Sequence, residues 1–309
     1  MVNERKFVSI ILLSYNNEKY IKDSLLSLLK QTYDYYEIVI GEDSSQDSSL
    51  KIIEQTLEQF ERRVKIKLIQ QPENVGLVKN FNACLARCQG DIIVVSAGDD
   101  ISLPTRVEES VAFFDANPEV TALSFNDYSI INEQKVESKR LVLDTNKIIS
   151  FDGFFNGDIT TFSAASRAFR RKVFDVFGEL QTDCPTEDTP YINRSLFLGD
   201  LALINKPGIY YRRHLQNLSS PYSLRRMNFD SIFKQYYVDL KLAFDSGIVN
   251  QAQVELVENW IGYKKLKRAY HLSSGIYKLY ILIRMLGYFT IVSKLLFGKL
   301  KSSLGRAYG

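Results

Sequence analysis

Ile92-Ile93-Val94-Val95-Ser96-Ala97-Gly98-Asp99-Asp100 runs from an apolar, β-branched stretch straight into two adjacent carboxylates. The apolar part reads as a strand buried on both faces, because β-branched side chains dominate it and a glycine follows. The acids then stand just beyond the strand's carboxyl end. In an open α/β sheet that edge is where ligands bind. Adjacent carboxylates repel unless something positive lies beside them. A divalent cation carrying a phosphorylated ligand answers that need.

Outward from this stretch, residues 1–125 alternate strand and helix with short turns. Strands are expected at 7–13, 36–41, 64–69, 91–97 and 120–125. Ile21, Leu25, Leu28 and Leu29 form the first helical stripe, with Asn16 or Asn17 as its cap. Leu50, Ile53, Leu57 and Phe60 form the second, with Asp47 or Ser48 as cap. A third helix at 77–87 turns Phe81 and Leu85 inward, and Pro104 fits the first turn of a fourth. Strand–helix–strand repeats imply a parallel sheet with right-handed crossovers. Beyond residue 126 the rhythm breaks. Residues 132–165 read as irregular strands and loops, 161–171 as a strand, 187–198 as a helix, and 201–213 as two short strands around Pro207-Gly208. From about Leu224 the pattern is helical.

The chain has 309 residues, a net charge of +3, 45% hydrophobic and 24% charged residues, ordinary values for a globular protein. No basic, aromatic-studded patch marks the first half, so a nucleic-acid partner is not expected. The three cysteines, Cys84, Cys88 and Cys184, are a sparse, odd set that fits buried free thiols in a reducing compartment. The polar start, Met1 to Lys6, shows no secretory signal. After Glu258 every charged residue is cationic, from Lys264 to Arg306, with Tyr277, Tyr280, Leu282, Ile283 and Phe289 among them. Arg284 and Lys294 disfavour a spanning helix. The composition suits peripheral contact with an anionic membrane through residues 274–309, the alternative being a helix packed on protein.

No G-x-G-x-x-G follows the first strand, where Ser14-Tyr15-Asn16-Asn17-Glu18 stands instead, and no P-loop occurs. Four other polar features follow successive strands: Tyr15; Asp43; Asn74 with Gly76; and Asp99 with Asp100. Taken singly, Tyr15 reads as a packing residue and Asp43 as a turn residue. Parallel strands put all four on one edge. There an aromatic face can stack on a base, a carboxylate can accept an N–H from a uracil edge, and the acid pair can hold a cation against a diphosphate.

The segment Val8-Ser9-Ile10-Ile11-Leu12-Leu13-Ser14-Tyr15-Asn16, the turn Glu42-Asp43-Ser44-Ser45-Gln46-Asp47-Ser48, Asn74-Val75-Gly76 and Gly98-Asp99-Asp100 together resemble family 2 glycosyltransferases of the GT-A fold. The resemblance covers about residues 6–220 and implies an α/β fold, a Rossmann-like, mostly parallel sheet with flanking helices and a C-terminal helical segment. It implies a catalytic domain at 1–222, with a nucleotide-sugar half at 1–126 and an acceptor half at 127–222, and a helical region at 223–309. By this resemblance Tyr15 and Asp43 contact the base, with Asn74 and Gly76 beside the nucleotide. Asp99 contacts the ribose side, and Asp100 holds Mn²⁺ or Mg²⁺ on the diphosphate. Ile101 departs from a strict D-x-D, which leaves Asp99 a second candidate for the metal.

Thr186-Glu187-Asp188 resembles the family's second acidic motif, which makes Asp188 the catalytic base; the plain reading is an acid favoured at a helix start. Tyr211-Arg212-Arg213-His214-Leu215-Gln216-Asn217-Leu218-Ser219 resembles the closing Y-R-x-H-x-x-N-x-S segment. It implies that Arg212 or Arg213, with His214, meets the diphosphate or the metal. The processive Q-x-x-R-W motif is absent, so one sugar is added per encounter.

The expectation is therefore an inverting, metal-dependent hexosyltransferase on the cytoplasmic side, moving a sugar from a UDP-sugar to a saccharide acceptor. A lipid-linked oligosaccharide for surface polysaccharide (O-antigen or capsule) is the expected acceptor, because the tail suits a membrane-held substrate. Two rivals are a sugar nucleotidyltransferase, which needs a Gly- and Arg-rich loop that Ser14–Glu18 lacks, and a non-catalytic nucleotide-sugar binder.

Overall fold

The computed structural model describes residues 5–60, 64–137, 144–157, 165–214 and 217–288. The elements in chain order are β1 (Val8–Ser14), α1 (Ile21–Leu29), β2 (Tyr36–Glu42), α2 (Ser49–Gln59), β3 (Lys65–Gln70), α3 (Leu77–Leu85), β4 (Ile92–Ala97), β5 (Ile101–Ser102), α4 (Arg106–Ala116), β6 (Val120–Ile131) and β7 (Gln134–Val136). They continue with β8 (Lys147–Ile149), α5 (Phe151–Phe155), β9 (Arg167–Arg170), α6 (Lys172–Phe177), α7 (Asp188–Leu198), β10 (Asp200–Arg212), α8 (Pro221–Arg226), α9 (Phe229–Asp245), α10 (Gln251–Leu272) and α11 (Gly275–Leu286).

The main sheet runs in the order β3-β2-β1-β4-β9-β6-β10-β5. The pairs β1–β2, β1–β4 and β2–β3 are parallel, as is β6–β10. β9 is antiparallel to both β4 and β6, so β1, β2, β3, β4, β6 and β10 all point the same way. Val8, Ile10, Ile11 and Leu12 are wholly buried, as expected of a parallel strand covered on both faces. Each such side chain contributes roughly 1.5–3 kcal/mol by leaving water. The stripe Ile21, Leu25, Leu28 and Leu29 packs into the same core, with Ile53 and Leu57 of α2.

Several local expectations are corrected. Neither Asn16 nor Asn17 caps α1 through its side chain; the main-chain carbonyl of Asn17 accepts from the N–H groups of Tyr20 and Ile21. Ser48 makes no side-chain cap of α2, and the Asp47 carboxylate accepts instead from the N–H of Ser49, a residue already inside the helix. Pro104 lies in the turn before α4 rather than in its first turn. Residues 201–213 form one strand, because the register shifts between Ile204 and Ile209 absorb Pro207 without breaking the pairing with β6. Leu85 is half-buried, while Cys84 and Cys88 turn inward as free thiols. Within 132–165 the structure forms β7, β8 and α5, and the first residues of the strand expected at 161–171 lie outside the described residues.

The chain divides into two compact units, Met1–Ile148 with Phe162–Gln235, and Ile149–Thr161 with Tyr236–Gly309. The first holds the sheet. In the second, Phe154 and Phe155 pack on Trp260 with ring centroids 5.7 and 5.3 Å apart. Among the described residues no helix is long and apolar enough to cross a membrane.

Candidate active site

The ends of β3, β2, β1 and β4 are tied into one rim by main-chain hydrogen bonds. The Gly98 N–H donates to the Leu13 carbonyl at 2.8 Å, Asp43 N–H to Ser14 at 3.0 Å, and Gln71 N–H to Glu42 at 2.9 Å. Gly98 is needed for this closeness: a Cβ there would stand 2.7 Å from Asn17 Oδ1 and 3.1 Å from the Leu13 carbonyl.

On the rim Tyr15 is 44% exposed, its ring open to stack. Asp43 is buried and accepts from the N–H groups of Val75 at 2.8 Å and Gly76 at 3.0 Å. Gly76, at φ +87°, starts α3, and Asn74 is exposed beside it. Asp43 thus fixes the loop that carries Asn74 and Gly76. Burial pushes its carboxyl above the usual range, and the two amides pull it partly back. Each carboxylate oxygen has a second lone pair, so Asp43 retains capacity toward a ligand N–H.

Three residues, Arg212, His214 and Asn217, converge from the far end of β10. The Arg212 main-chain N–H donates to Asp100 Oδ1 at 2.9 Å, and its Nε to the Asp99 carbonyl at 3.0 Å. The Arg212 guanidinium pairs with Glu133 of the β6–β7 turn and lies 4.4 Å from the Tyr20 ring centroid. His214 Nε2 lies 2.8 Å from Asp99 Oδ2 and stacks on Tyr20. Asn217 Nδ2 donates to the same Oδ2 at 3.3 Å, while its Oδ1 accepts from the His214 N–H. Arg213 points outward. Leu215 and Gln216 lie outside the described residues.

The two acids therefore differ. Asp99 is shared with an imidazole. Asp100 is buried, its Oδ2 without a hydrogen-bond partner. Burial, then the Asp99 charge, push the Asp100 carboxyl well above the usual range, against the Arg212 N–H and the nearby Arg106 charge. Arg106 is buried behind the site. Its Nη1 donates to Ser96 Oγ and Ser102 Oγ, and its Nη2 to the carbonyls of Val95 and Arg167.

Asp188 opens α7, half-buried, at the same sheet edge. It is placed there because Arg167 starts β9, which runs antiparallel, and Arg167 Nη1 donates to the Asp188 carbonyl at 2.7 Å and Oδ1 at 3.3 Å. No hydrogen bond or ion pair between Asp188 and the Asp99–Asp100 pair is found among the described residues. Sequence reasoning missed Tyr20, Arg106, Glu133, Arg167 and the separate weight of Glu187. Glu187 and Asn217 lay within motifs already singled out.

The profile described as Glycosyl transferase family 2 matches residues 9–178. EpsE of Bacillus subtilis is 38% identical over 114 residues, 37% of this chain and 40% of EpsE. The amylovoran biosynthesis glycosyltransferase AmsE of Erwinia amylovora is 30% identical over 145 residues, 46% of this chain and 53% of AmsE. The chain thus matches about half, or less, of the length of these relatives. Among solved structures, S. aureus TarS 1–349 in complex with UDP-GlcNAc superposes with a TM-score of 0.64 at 20% identity, over 87% of this chain and 74% of that one. The mannosyltransferase PcManGT from Pyrobaculum calidifontis, in complex with GDP-Man and Mn²⁺, gives 0.54 at 18%, over 96% of this chain and 89% of that one. Both are glycosyltransferases of the GT-A fold.

Proposed function

This chain belongs to glycosyl transferase family 2, and we propose that it moves one hexose from a UDP-sugar to an acceptor hydroxyl with inversion at the anomeric carbon. One observation carries the reading: Asp99 and Asp100 share partners with Arg212 and His214 on the rim that also holds Tyr15 and Asp43. Tyr15 stacks on the base and Asp43 accepts the uracil N–H, beside Asn74 and Gly76. The TarS complex with UDP-GlcNAc and the buried carboxylate both favour UDP.

The donor set suits Mn²⁺ or Mg²⁺. Asp100 Oδ2 is a buried oxygen without a partner, and Asp99 with His214 offers a second carboxylate and an imidazole. Among the described residues no group of three or more His, Cys, Asp or Glu side chains is placed to hold a metal ion by itself, so a bound diphosphate would have to contribute oxygens. A bound ion would supply Lewis-acid stabilisation of the departing diphosphate. Arg212 adds a fixed positive charge where negative charge develops. Asp188 takes the acceptor proton as general base. The acceptor oxygen attacks the face opposite the leaving diphosphate through an oxocarbenium-like transition state, so an α-linked donor gives a β-linked product.

The acceptor is a saccharide, lipid-linked, in surface-polysaccharide synthesis. AmsE's name points that way. So does α11, where Ile276 is 87% exposed and Tyr277, Tyr280 and Ile283 stand exposed beside Lys278 and Arg284. That face suits peripheral contact with the inner leaflet of the cell membrane.

The test is UDP release from UDP-glucose, UDP-galactose and UDP-GlcNAc with Mn²⁺ and a lipid-linked saccharide acceptor. Asp188→Asn should lower transfer by roughly 10²–10⁴-fold while UDP still raises the melting temperature. Asp100→Ala should lose the metal-dependent part of that stabilisation. Undiminished transfer in both variants overturns the reading.

A further inference from the structure

Two adjacent carboxyls, Glu187 and Asp188, stand where the proposed base is read, and sequence alone treats them alike. The structure does not. Asp188 is gripped by one nitrogen of Arg167, which donates both to its carbonyl and to its Oδ1. Glu187 accepts no hydrogen bond from Arg167; its carboxyl meets the Asp188 side chain, and its Oε2 is shut from solvent without a hydrogen bond.

Arg167 is held as firmly as it holds. Its main chain is locked into β9 opposite Ser124 of β6. Its carbonyl accepts from Arg106 Nη2 at 3.2 Å, and the same nitrogen donates to the Val95 carbonyl of β4 at 2.7 Å. Two buried arginines therefore run from the strand that delivers Asp99 and Asp100 to the residue that delivers Asp188.

We propose that Arg167 is a positioning residue, one that fixes the side chain of Asp188, rather than that of Glu187, toward the acceptor. This rests on the reading of Asp188 as the base. Burial, then the Asp188 charge, push the Glu187 carboxyl up to about 8, with Arg167 pulling the other way. Below about 8 Glu187 therefore keeps its proton and stands neutral beside Asp188. Arg167 holds the Asp188 carboxyl in one orientation through the Asp188 carbonyl and Oδ1.

The test uses the full chain with ¹³C-labelled Asp and Glu carboxyls, titrated by NMR. Asp188→Asn and Glu187→Gln assign the two signals. In Arg167→Gln the Glu187 midpoint should rise further, since a cation that pulls it down is gone. Arg167→Lys keeps the charge but displaces the donor nitrogen, and should fall between that variant and wild type. In the UDP-release assay both should lower kcat, Arg167→Gln by about tenfold or more, with KM for the UDP-sugar within about twofold. An unmoved Glu187 midpoint in Arg167→Gln overturns the proposal. So does a raised KM at wild-type kcat. If Arg167→Gln does not fold, a wild-type kcat in Arg167→Lys overturns it. Transfer surviving in Asp188→Asn would sink the base assignment itself. An inactive Asp188→Asn with a wild-type-like Arg167→Gln would sink only the role of Arg167.

Discussion

At the scale of single residues, the site depends on close approach and on carboxyls held out of their ordinary state. Gly98 lets the turn that carries the acids lie against Asn17 and Leu13. Gly98→Ala should cost about 1–3 kcal/mol, as overpacking does, and weaken UDP binding, read by thermal denaturation and calorimetry. Unchanged values in both would show that the rim opens freely. Glu187 makes a pH prediction. It holds its proton up to about 8 in the folded chain against an ordinary value of 4.5. The folded state thus binds more protons between these values. The contribution to stability is complete below 4.5 and drains away as pH climbs toward about 8. The melting temperature should fall from pH 6 to 8.5, and less steeply in Glu187→Gln; identical slopes would contradict the assignment. Neither effect was legible in the sequence, where Glu187 is one more acid at a helix start.

At the scale of elements, the loops after β1 and β2 are sewn together reciprocally. Asn16 N–H donates to Ser45 Oγ, and Gln46 N–H returns to Asn16 Oδ1. Glu18 N–H donates to Asp47, and Ser48 N–H returns to Glu18. Asn16 and Ser44 both adopt positive φ, at 52° and 57°, to make the fit. Asp47 ties both loops through Glu18 and Ser49, so Asp47→Ala should cost about 1–2 kcal/mol. It should also weaken UDP binding, since Tyr15 rides on the first of these loops. Full UDP affinity in a destabilised Asp47→Ala would separate the lacing from the site. The helical stripes and strand cores here were legible, because period and burial follow from sequence pattern. The caps were not, because the partners lie about thirty residues away in the neighbouring loop.

At the scale of the whole molecule, the second unit carries a prediction of its own. Flotation with phosphatidylglycerol vesicles should require residues 274–309 and weaken with salt, since α11 presents exposed aliphatic and aromatic side chains with cations only. Equal flotation of a chain ending at residue 273 would count against membrane contact. The sheet unit shows what each source of information decided. Sequence by itself determined that apolar strands alternate with amphipathic helices, hence a parallel sheet, and that Tyr15, Asp43 and the acid pair follow strand ends on one edge. That information is local, since side-chain period and turn chemistry are properties of consecutive residues. Only the tertiary structure decided how each pair of neighbouring carboxyls divides its work. Asp100 is buried under the Arg212 N–H, from 112 positions along the chain, while Asp99 meets His214. Asp188 is held by Arg167 while Glu187 keeps its proton. Adjacent acids have nearly the same chemistry in a sequence, and only burial and partners brought from distant strands make them different.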